Sequence, residues 1–209
     1  MRYLDRIAKR ILDLTASFVG LILFLPVFIG LAIAIVIESK GGVFFRQKRV
    51  GLNGQYFNLL KFRSMFIASE QKSQITVGDR DPRITKVGYF IRKYKLDELA
   101  QLWNVLLGEM SLVGPRPEVP RYVALYTDEQ KQLLSIKPGI TDLASLYYFE
   151  EAEILANAAD PEEAYVNEVM PDKLRYSLDY LAKRNVGYDI YLIVLTILRI
   201  AGFKLKKVD

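Results

Sequence analysis

The longest apolar run in the chain extends from Leu14 to Ile37 and contains no charged residue. At about 1.5 Å rise per residue, its roughly 24 residues would reach about 36 Å as one helix, enough to cross a hydrocarbon core of about 30 Å. Pro26 lies in the middle of the run, where it removes a backbone hydrogen bond and favours a bend. The pattern therefore predicts a membrane helix that breaks near Pro26.

Basic residues lie on both sides of this run, at Arg2, Arg6, Lys9 and Arg10 before it and at Lys40, Arg46, Lys48 and Arg49 after it. Because positive charges favour the cytoplasmic side, both ends are expected on that side, as in a re-entrant helix-break-helix. A spanning anchor with a proline kink is an equal alternative on the pattern alone. A signal peptide is disfavoured, because its apolar core would have only about 7–15 residues.

The rest of the chain shows shorter patterns. The stretches Val43–Arg46 and Gln55–Phe62 are β-prone and flank the turn residues Gly51–Gly54, which predicts a small β-hairpin. Leucines recur every three or four residues through Tyr94–Leu107, which predicts an amphipathic helix. The stretch Ile190–Leu198 is too short to span a bilayer and fits either a helix at the membrane interface or a core helix.

These elements indicate an α+β fold that is mostly helical, with a small β-hairpin and a membrane helix. We expect two parts, a membrane segment with basic flanks at residues 1–40 and a single folded unit at residues 41–209. The 209 residues carry a net charge of +5, and the basic excess continues in the tail at Lys204, Lys206 and Lys207. This placement suits anionic lipid or a phosphorylated substrate better than nucleic acid.

Composition narrows the chemistry further. The chain has no His and no Cys, which excludes a Ser-His-Asp triad, a cysteine nucleophile, a disulfide and the usual zinc sites. Asp97 and Glu98 open the Tyr94–Leu107 helix, where free amides favour carboxylates whether or not they have a function. Arg116 lies between two prolines that would hold its guanidinium in place, as a phosphate clamp requires. The basic residues of the hairpin, at Arg46, Lys48, Arg49, Lys61 and Arg63, are further candidates for phosphate or headgroup contact.

Four motifs follow one another along the chain in the order seen in bacterial sugar transferases: Lys61-Phe62-Arg63-Ser64-Met65, Leu96-Asp97-Glu98-Leu99-Ala100-Gln101-Leu102-Trp103-Asn104-Val105-Leu106, Met110-Ser111-Leu112-Val113-Gly114-Pro115-Arg116-Pro117 and Lys137-Pro138-Gly139-Ile140-Thr141. Through them the chain resembles the small monotopic polyprenyl-phosphate phosphoglycosyl transferases. The resemblance extends from the apolar run to at least Thr141. It favours a re-entrant membrane helix at residues 1–40 over the spanning anchor, although Leu25 stands where the family often has Ser before the proline. It also implies that residues 41–209 form a membrane-surface catalytic unit, with amphipathic interfacial helices around a cytoplasmic active site.

The resemblance implies an enzyme at the cytoplasmic face of the bacterial inner membrane. Such an enzyme transfers a sugar 1-phosphate from a UDP-sugar to undecaprenyl phosphate and releases UMP, the first membrane step in assembling capsule, lipopolysaccharide, exopolysaccharide or protein-linked glycans. By resemblance, Asp97 would be the nucleophile that forms an aspartyl phosphosugar, and Glu98, with Asp97, would hold Mg²⁺. Arg116 and then Lys61 are the candidates for binding substrate phosphate. The helix start should lower the pKa of Asp97.

Two alternatives stay open at this point. In one, the lipid phosphate attacks the donor directly and Asp97 only binds metal; in the other, the protein is a non-enzymatic membrane scaffold. Downstream of Thr141 the resemblance loosens, and the acids and tyrosines from Tyr147 to Glu153 are candidates for choosing the sugar, though an exposed loop needs no such role. The sequence does not decide which sugar is transferred or whether the chain forms a homo-oligomer.

Overall fold

A computed structural model describes residues 3–67, 78 and 81–203. The basic tail at Lys204, Lys206 and Lys207 lies outside the described residues. The described part is mostly helical, with one antiparallel strand pair and one shorter parallel pair. This agrees with the predicted α+β class, whereas the division into residues 1–40 and 41–209 stays a prediction.

The first two helices form a bent pair. Helix α1 covers Tyr3–Leu23 and α2 covers Leu25–Glu38, and the two are bent by 59°. Pro26 lies in the first turn of α2, where its missing N–H and fixed φ are tolerated at a helix start but not in a continuous helix. The predicted break is therefore confirmed. Among the described helices none is by itself long and apolar enough to cross a membrane, while this pair together is, by length and composition.

The predicted hairpin is also confirmed, with a longer first strand. Strand β1 covers Phe44–Val50 and pairs antiparallel with β2 at Tyr56–Phe62. A turn at Leu52–Gly54 joins them, and Asn53 (φ 54°) and Gly54 (φ 75°) adopt the left-handed conformation that these residue types tolerate best. The prediction ended β1 at Arg46 because the next residues are polar and basic. Backbone pairing with β2 nevertheless continues to Val50.

Residues of four elements share one part of the core. Buried Leu31 and Ile35 of α2 pack with Phe62 of β2, Ile91 and Ala100. Ile91 belongs to α3, which covers Lys86–Lys93, and Ala100 lies in a 3₁₀ helix at Leu96–Gln101. This cluster holds the bent helical pair against the segment that carries Asp97 and Glu98.

The helix predicted at Tyr94–Leu107 is divided. Lys95 has a positive φ of 54°, and the chain then forms the 3₁₀ helix followed by α4 at Leu102–Leu107. Leucine spacing of three or four residues fits a 3₁₀ helix followed by an α-helix as well as one α-helix, so the pattern could not separate them. Gly20 of α1 packs against Leu102, where an added Cβ would come within 3.0 Å of the leucine side chain.

A short parallel pair holds the chain segment before Arg116. Strand β3 covers Ser111–Val113 and pairs with β4 at Gly139–Thr141. The Asp13 carboxylate of α1 accepts hydrogen bonds from the Ser111 hydroxyl and the Leu112 amide, the latter at 3.0 Å.

The remaining α-helices of the described residues are α5 at Pro120–Val123, α6 at Asp128–Lys131, α7 at Leu143–Tyr147, α8 at Glu151–Ala156, α9 at Pro161–Ala164, α10 at Met170–Lys183 and α11 at Val186–Ile200.

Helix α11 has two different apolar faces. Leu192 is fully buried in the core, and Asp189 pairs with Lys9 of α1, with Nζ and Oδ2 2.5 Å apart. The opposite face leaves large apolar side chains exposed, at Ile190, Tyr191, Val194, Ile197 and Ile200. The plain core-helix alternative is therefore wrong, because a core helix would not expose this face.

Candidate active site

The residues predicted to act in catalysis meet in one large cleft of about 1590 Å³. Its polar part is lined by Lys61 of β2, by Asp97 and Glu98 of the 3₁₀ helix, and by Arg116. Its apolar part continues between α1 and α11, where the lining side chains include Leu12, Ala16, Phe24, Ile193 and Ile197. Pro26 is not among the cleft residues; it shapes the helical pair at a distance from the site.

Asp97 is buried, with 5 % of its surface exposed, and its Oδ1 receives no hydrogen bond from any residue that the structure describes. Burial raises the pKa of this carboxyl above its ordinary value, the Lys61 charge opposes the rise, and Glu98 adds to it. The lowered pKa expected from a helix start is therefore wrong. The desolvation of a buried carboxylate outweighs the weak dipole of a short helical segment.

Glu98 is held by two basic side chains. Arg116 contacts both carboxylate oxygens, with Nη2 2.6 Å from Oε1 and Nη1 3.3 Å from Oε2, and Lys61 Nζ lies 3.7 Å from Oε1. Burial alone would raise the pKa of Glu98, but the charges of Arg116 and Lys61 outweigh it and lower the pKa well below its ordinary range. Glu98 therefore stays ionised beside the more easily protonated Asp97.

Lys61 and Arg116 respond differently to the same surroundings. Desolvation lowers the pKa of Lys61 to about 8, despite the favourable charge of Glu98. The carboxylate of Glu98 raises the pKa of Arg116 instead, so the guanidinium is charged at every physiological pH. Arg116 thus keeps its positive charge at every physiological pH. Lys61 loses its proton, and with it the charge, as the pH rises through about 8.

The loop around Arg116 is fixed at both ends. Gly114 N–H donates to the Thr141 carbonyl at 3.0 Å, and Gly139 N–H donates to the Pro115 carbonyl at 3.0 Å. On the other side of Arg116, Arg49 Nη1 donates to the Pro117 carbonyl at 2.9 Å. With prolines on both sides of Arg116, these bonds leave the loop little freedom.

Two hairpin arginines that were candidates for phosphate or headgroup contact line the cleft and are also bound to other parts of the protein. Arg49 also contacts Glu118 at 3.3 Å, and Glu118 in turn accepts a hydrogen bond from the Tyr165 hydroxyl at 2.6 Å. Arg63 donates to the carbonyls of Ser39 and Lys40, just after α2. The positive charges of both arginines are visible in the sequence. Their acceptors, such as the carbonyls of Pro117 and Ser39, lie far along the chain and come close only in the folded protein.

Of the segment from Tyr147 to Glu153, residues 148–153 form part of the cleft wall. Lys95 Nζ donates to the Phe149 carbonyl at 3.2 Å, and Arg199 of α11 pairs with Glu150 at 2.9 Å. Glu151 pairs with buried Lys173 of α10, with Nζ and Oε2 2.6 Å apart. The partners of these two acids could not be read from the sequence, because Lys173 and Arg199 lie far along the chain and only folding brings them close.

Asp97 and Glu98 are the residues of the cleft that could hold a magnesium ion. Within the described residues no group of three or more metal-ligating side chains comes together. Mg²⁺ is commonly held by one or two carboxylates together with substrate phosphates. The unpartnered, buried Oδ1 of Asp97 beside the ionised Glu98 is a suitable pair of oxygen donors.

The amino-acid sequence matches a known protein family over nearly its whole length. The family model described as "Bacterial sugar transferase" matches residues 4–202. A UDP-glucose:undecaprenyl-phosphate glucose-1-phosphate transferase of Xanthomonas campestris pv. campestris is 36% identical over 202 residues, which cover 95% of this chain and 40% of that protein. A UDP-N-acetylgalactosamine-undecaprenyl-phosphate N-acetylgalactosaminephosphotransferase of Aeromonas hydrophila is 34% identical over 192 residues, covering 90% of this chain and 42% of that protein.

A shorter relative is similar over part of the chain. A putative undecaprenyl-phosphate N-acetylgalactosaminyl 1-phosphate transferase of Bacillus subtilis (strain 168) is 41% identical over 121 residues, which cover 58% of this chain and 68% of that protein. The chain spans about 40% of the length of the long relatives. The family match covers nearly the whole chain and includes the cleft with all four polar residues. The chain therefore belongs to the bacterial sugar transferase family.

Proposed function

We propose that this protein transfers a sugar 1-phosphate from a UDP-sugar to undecaprenyl phosphate and releases UMP. The observation that carries the proposal is the buried Asp97 carboxylate, whose Oδ1 is unpartnered among the described residues, beside Lys61 and the Glu98–Arg116 pair. The relatives named above carry this type of reaction in their names, with glucose in one case and N-acetylgalactosamine in others.

In the first step, an oxygen of Asp97 attacks the phosphorus atom that carries the sugar. A new carboxylate–phosphorus bond forms, the bond between that phosphorus and the bridging oxygen breaks, and UMP leaves with the electron pair. The raised pKa of Asp97 makes the carboxylate a stronger base once ionised, and the Lys61 charge favours the ionised form. The product is an aspartyl phosphosugar.

In the second step, a phosphate oxygen of undecaprenyl phosphate attacks the same phosphorus. The bond to Asp97 breaks, the carboxylate is regenerated, and the lipid diphosphate sugar leaves. The apolar continuation of the cleft between α1 and α11 supports this acceptor, because a polyprenyl chain needs an apolar path that ends at the reacting phosphate. Both steps use one nucleophile and one cleft.

Arg116 and Lys61 would bind the phosphate oxygens of the donor and of the lipid. A guanidinium can contact two phosphate oxygens at once, while an ammonium acts as a point charge. Asp97 and Glu98 would hold Mg²⁺, which when bound neutralises part of the diphosphate charge. Glu98 also keeps Arg116 in position through its two contacts.

The site would lie at the cytoplasmic face of the bacterial inner membrane. The bent pair α1–α2 exposes large apolar side chains along most of its length, and α11 exposes a further apolar face beside the mouth of the cleft. A re-entrant pair in contact with phospholipid would set the cleft at headgroup height, where the acceptor phosphate lies. This placement rests on exposed apolar area and on the 59° bend.

The test is UMP release from a panel of UDP-sugars by protein in detergent or nanodiscs, with and without undecaprenyl phosphate and Mg²⁺. We expect lipid- and metal-dependent UMP from one preferred donor, and loss of at least about 10³-fold in Asp97→Asn, since the nucleophile is removed. Glu168→Gln changes an exposed acid outside the cleft and should have no effect.

Two results would contradict this proposal in different ways. Folded protein that releases no UMP from any donor would support the scaffold alternative. Mass spectrometry separates the two enzymatic mechanisms: wild-type protein given donor without lipid should carry a phosphosugar on Asp97. Transfer activity with no such adduct would favour direct attack by the lipid phosphate, with Asp97 only as a metal ligand.

A further inference from the structure

Glu151 is a carboxylate in the cleft that the proposed mechanism does not use. It begins helix α8 and lines the same cleft as Asp97 and Arg116. Its Oε2 accepts a hydrogen bond from Lys173 Nζ at 2.6 Å, and Lys173 is only 7 % exposed. Its Oε1 receives no hydrogen bond from any of residues 3–67, 78 and 81–203. One oxygen is thus held by Lys173, and among the described residues the other has no hydrogen-bond partner that would compete with a ligand.

The charges around Glu151 place it near the phosphate-binding residues. Burial acts to raise the pKa of this carboxyl, but the charge of Lys173, with smaller contributions from Arg116 and Lys95, lowers it below its ordinary value. Arg116 in turn is influenced by Glu151 as well as by Glu98. The ionised Glu151 therefore faces the cleft within electrostatic range of the Arg116 guanidinium.

The wall that carries Glu151 is tied to the catalytic segment. Phe149 is contacted by Lys95, whose Nζ lies 4.7 Å from the ring centroid and donates to the Phe149 carbonyl. Arg199 lies over the same ring, also at 4.7 Å, and pairs with Glu150. Since Lys95 is two residues before Asp97, the position of the wall relative to the nucleophile is determined by direct contacts.

The cleft thus offers two kinds of surface to a nucleotide sugar. Lys61 and Arg116 attract the diphosphate, and a carboxylate such as Glu151 repels it. Hydroxyl groups make charge-assisted hydrogen bonds with carboxylates, so an uncharged polyol is the part of the donor that suits Glu151. Asp97 must reach the phosphorus that carries the sugar, so the sugar is the part of the donor nearest the catalytic segment. The unpartnered Oδ1 of Asp97 in the same cleft independently marks this region as a ligand site.

We propose that Glu151 forms a sugar-binding subsite, in which its free oxygen accepts hydrogen bonds from hydroxyl groups of the transferred sugar and contributes to the choice of donor. Lys173 is the positioning residue that holds the other oxygen. This inference rests on the proposed function, and it names the part of the substrate that the wall from Tyr147 to Glu153 recognises.

The test compares two ligands that differ only in the sugar. We expect Glu151→Gln to raise the KM for the preferred UDP-sugar about tenfold or more, since a charge-assisted hydrogen bond is lost. The inhibition constant of UDP, which has no sugar, should change less than about twofold. The ratio of kcat/KM between UDP-glucose and UDP-galactose, and between their N-acetyl forms, should shift by a similar factor.

Two further variants separate binding from folding. Glu151→Asp keeps the charge near Lys173 but withdraws the carboxylate by one methylene, so it should keep the wild-type melting temperature within a few degrees and still show the selective rise in KM. Glu168→Gln removes an exposed acid from the helical region before α10 and should leave both ligands unaffected.

Three other outcomes would contradict either the sugar-binding subsite or the proposed function. Donor ratios and KM that stay unchanged in both Glu151 variants would overturn the subsite while leaving the transfer reaction in place. A parallel rise for UDP and UDP-sugar would show that Glu151 acts through the Arg116 phosphate clamp, which also overturns it. Wild-type protein that neither binds UDP-sugar nor releases UMP would overturn the proposed function itself.

Discussion

Arg116 and Glu98 form an ion pair in which two guanidinium nitrogens contact both carboxylate oxygens. The pair is partly buried, so breaking it should cost more free energy than breaking an exposed ion pair. Asp97, next to Glu98 in the chain, has its pKa shifted in the opposite direction. Two neighbouring carboxylates thus have different protonation behaviour, a pattern that is common at functional sites.

Arg116→Lys tests the fork geometry of the guanidinium. Lysine keeps the charge but contacts Glu98 or phosphate through one nitrogen, so we expect kcat/KM for the donor to fall about 10- to 100-fold. The matched control is Arg175→Lys, the same change in an exposed arginine of α10 paired with Asp172, and its activity should match the wild type. Equal activity of Arg116→Lys and wild type would contradict a two-contact role.

The pair of Glu151 and Lys173 predicts a pH dependence of stability. The pKa of Glu151 is lowered in the folded protein, whereas the unfolded chain should return it to near its ordinary value of 4.5. The ionised pair therefore stabilises the fold above about pH 4.5, and this contribution is lost as the pH falls through the folded value. Glu151→Gln should be less stable than wild type by about 1–3 kcal/mol at neutral pH.

Thermal or chemical unfolding over a series of pH values measures this difference. We expect the gap between wild type and Glu151→Gln to narrow as the pH falls below about 4.5, because protonation removes the same charge that the substitution removes. Glu168→Gln, with its exposed side chain, should show a small difference at every pH. A gap for Glu151→Gln that widens on acidification would contradict the assigned sign.

At the scale of elements, the position of Arg116 depends on the parallel pair β3–β4. The two strands approach so closely that a Cβ on Gly139 would lie 2.1 Å from the Gly114 nitrogen and 2.5 Å from its carbonyl oxygen. These are backbone atoms of the loop that leads to Arg116, and they cannot rotate away as a flexible side chain can. A glycine is therefore required here by close backbone approach.

Gly139→Ala should separate the two strands and displace the Arg116 loop. We expect a loss of about 2–4 kcal/mol in the free energy of unfolding together with a large loss of activity, measured by unfolding in detergent and by UMP release. Gly30→Ala is the control, since among the described residues no atom beyond the surrounding turns of its own helix lies within 4 Å of its added Cβ, and it should change stability by less than about 1 kcal/mol. Similar effects of both changes would contradict the steric argument.

At the scale of the whole molecule, the described structure joins an apolar helical pair to a polar cleft. Leu31 and Ile35 of α2 belong to the core cluster that also contains Ala100, which lies in the same 3₁₀ helix as Asp97 and Glu98. On the other side, Lys9 and Asp13 of α1 contact Asp189 and β3. The helical pair is therefore part of the same packed body as the site, so its depth in a membrane would also set the depth of the cleft.

The absence of cysteine allows a direct test of membrane topology. Single cysteines at Leu4 and Lys40, both exposed positions at the ends of the helical pair, should react with an impermeant maleimide from the same side of inverted membrane vesicles. A cysteine at Glu168 marks the side of the catalytic unit and should react from that side too. Labelling of Leu4→Cys and Lys40→Cys from opposite sides would show a spanning anchor and overturn the re-entrant placement.

Local sequence patterns were sufficient to predict several features of the fold and of the candidate site. The apolar run with Pro26 predicted the helix break, turn residues predicted the hairpin, and the ordered motifs singled out Lys61, Asp97, Glu98 and Arg116, which the fold brings to one cleft. The lack of His and Cys already limited the chemistry to carboxylates, Lys, Arg, Tyr, hydroxyl groups or a hard metal ion. Such features depend on backbone preferences and residue types that are encoded within a few neighbouring positions.

Tertiary structure alone decided the rest. The raised pKa of Asp97, the internal pairing of Arg49 and Arg63, the β3–β4 contact and the pair of Glu151 with Lys173 all depend on groups that lie far apart in the chain. Desolvation and long-range pairing are set by what packs around a group, and no local pattern contains that information. The sequence by itself determined the chemical groups of the site, and the fold determined their charge states and their partners.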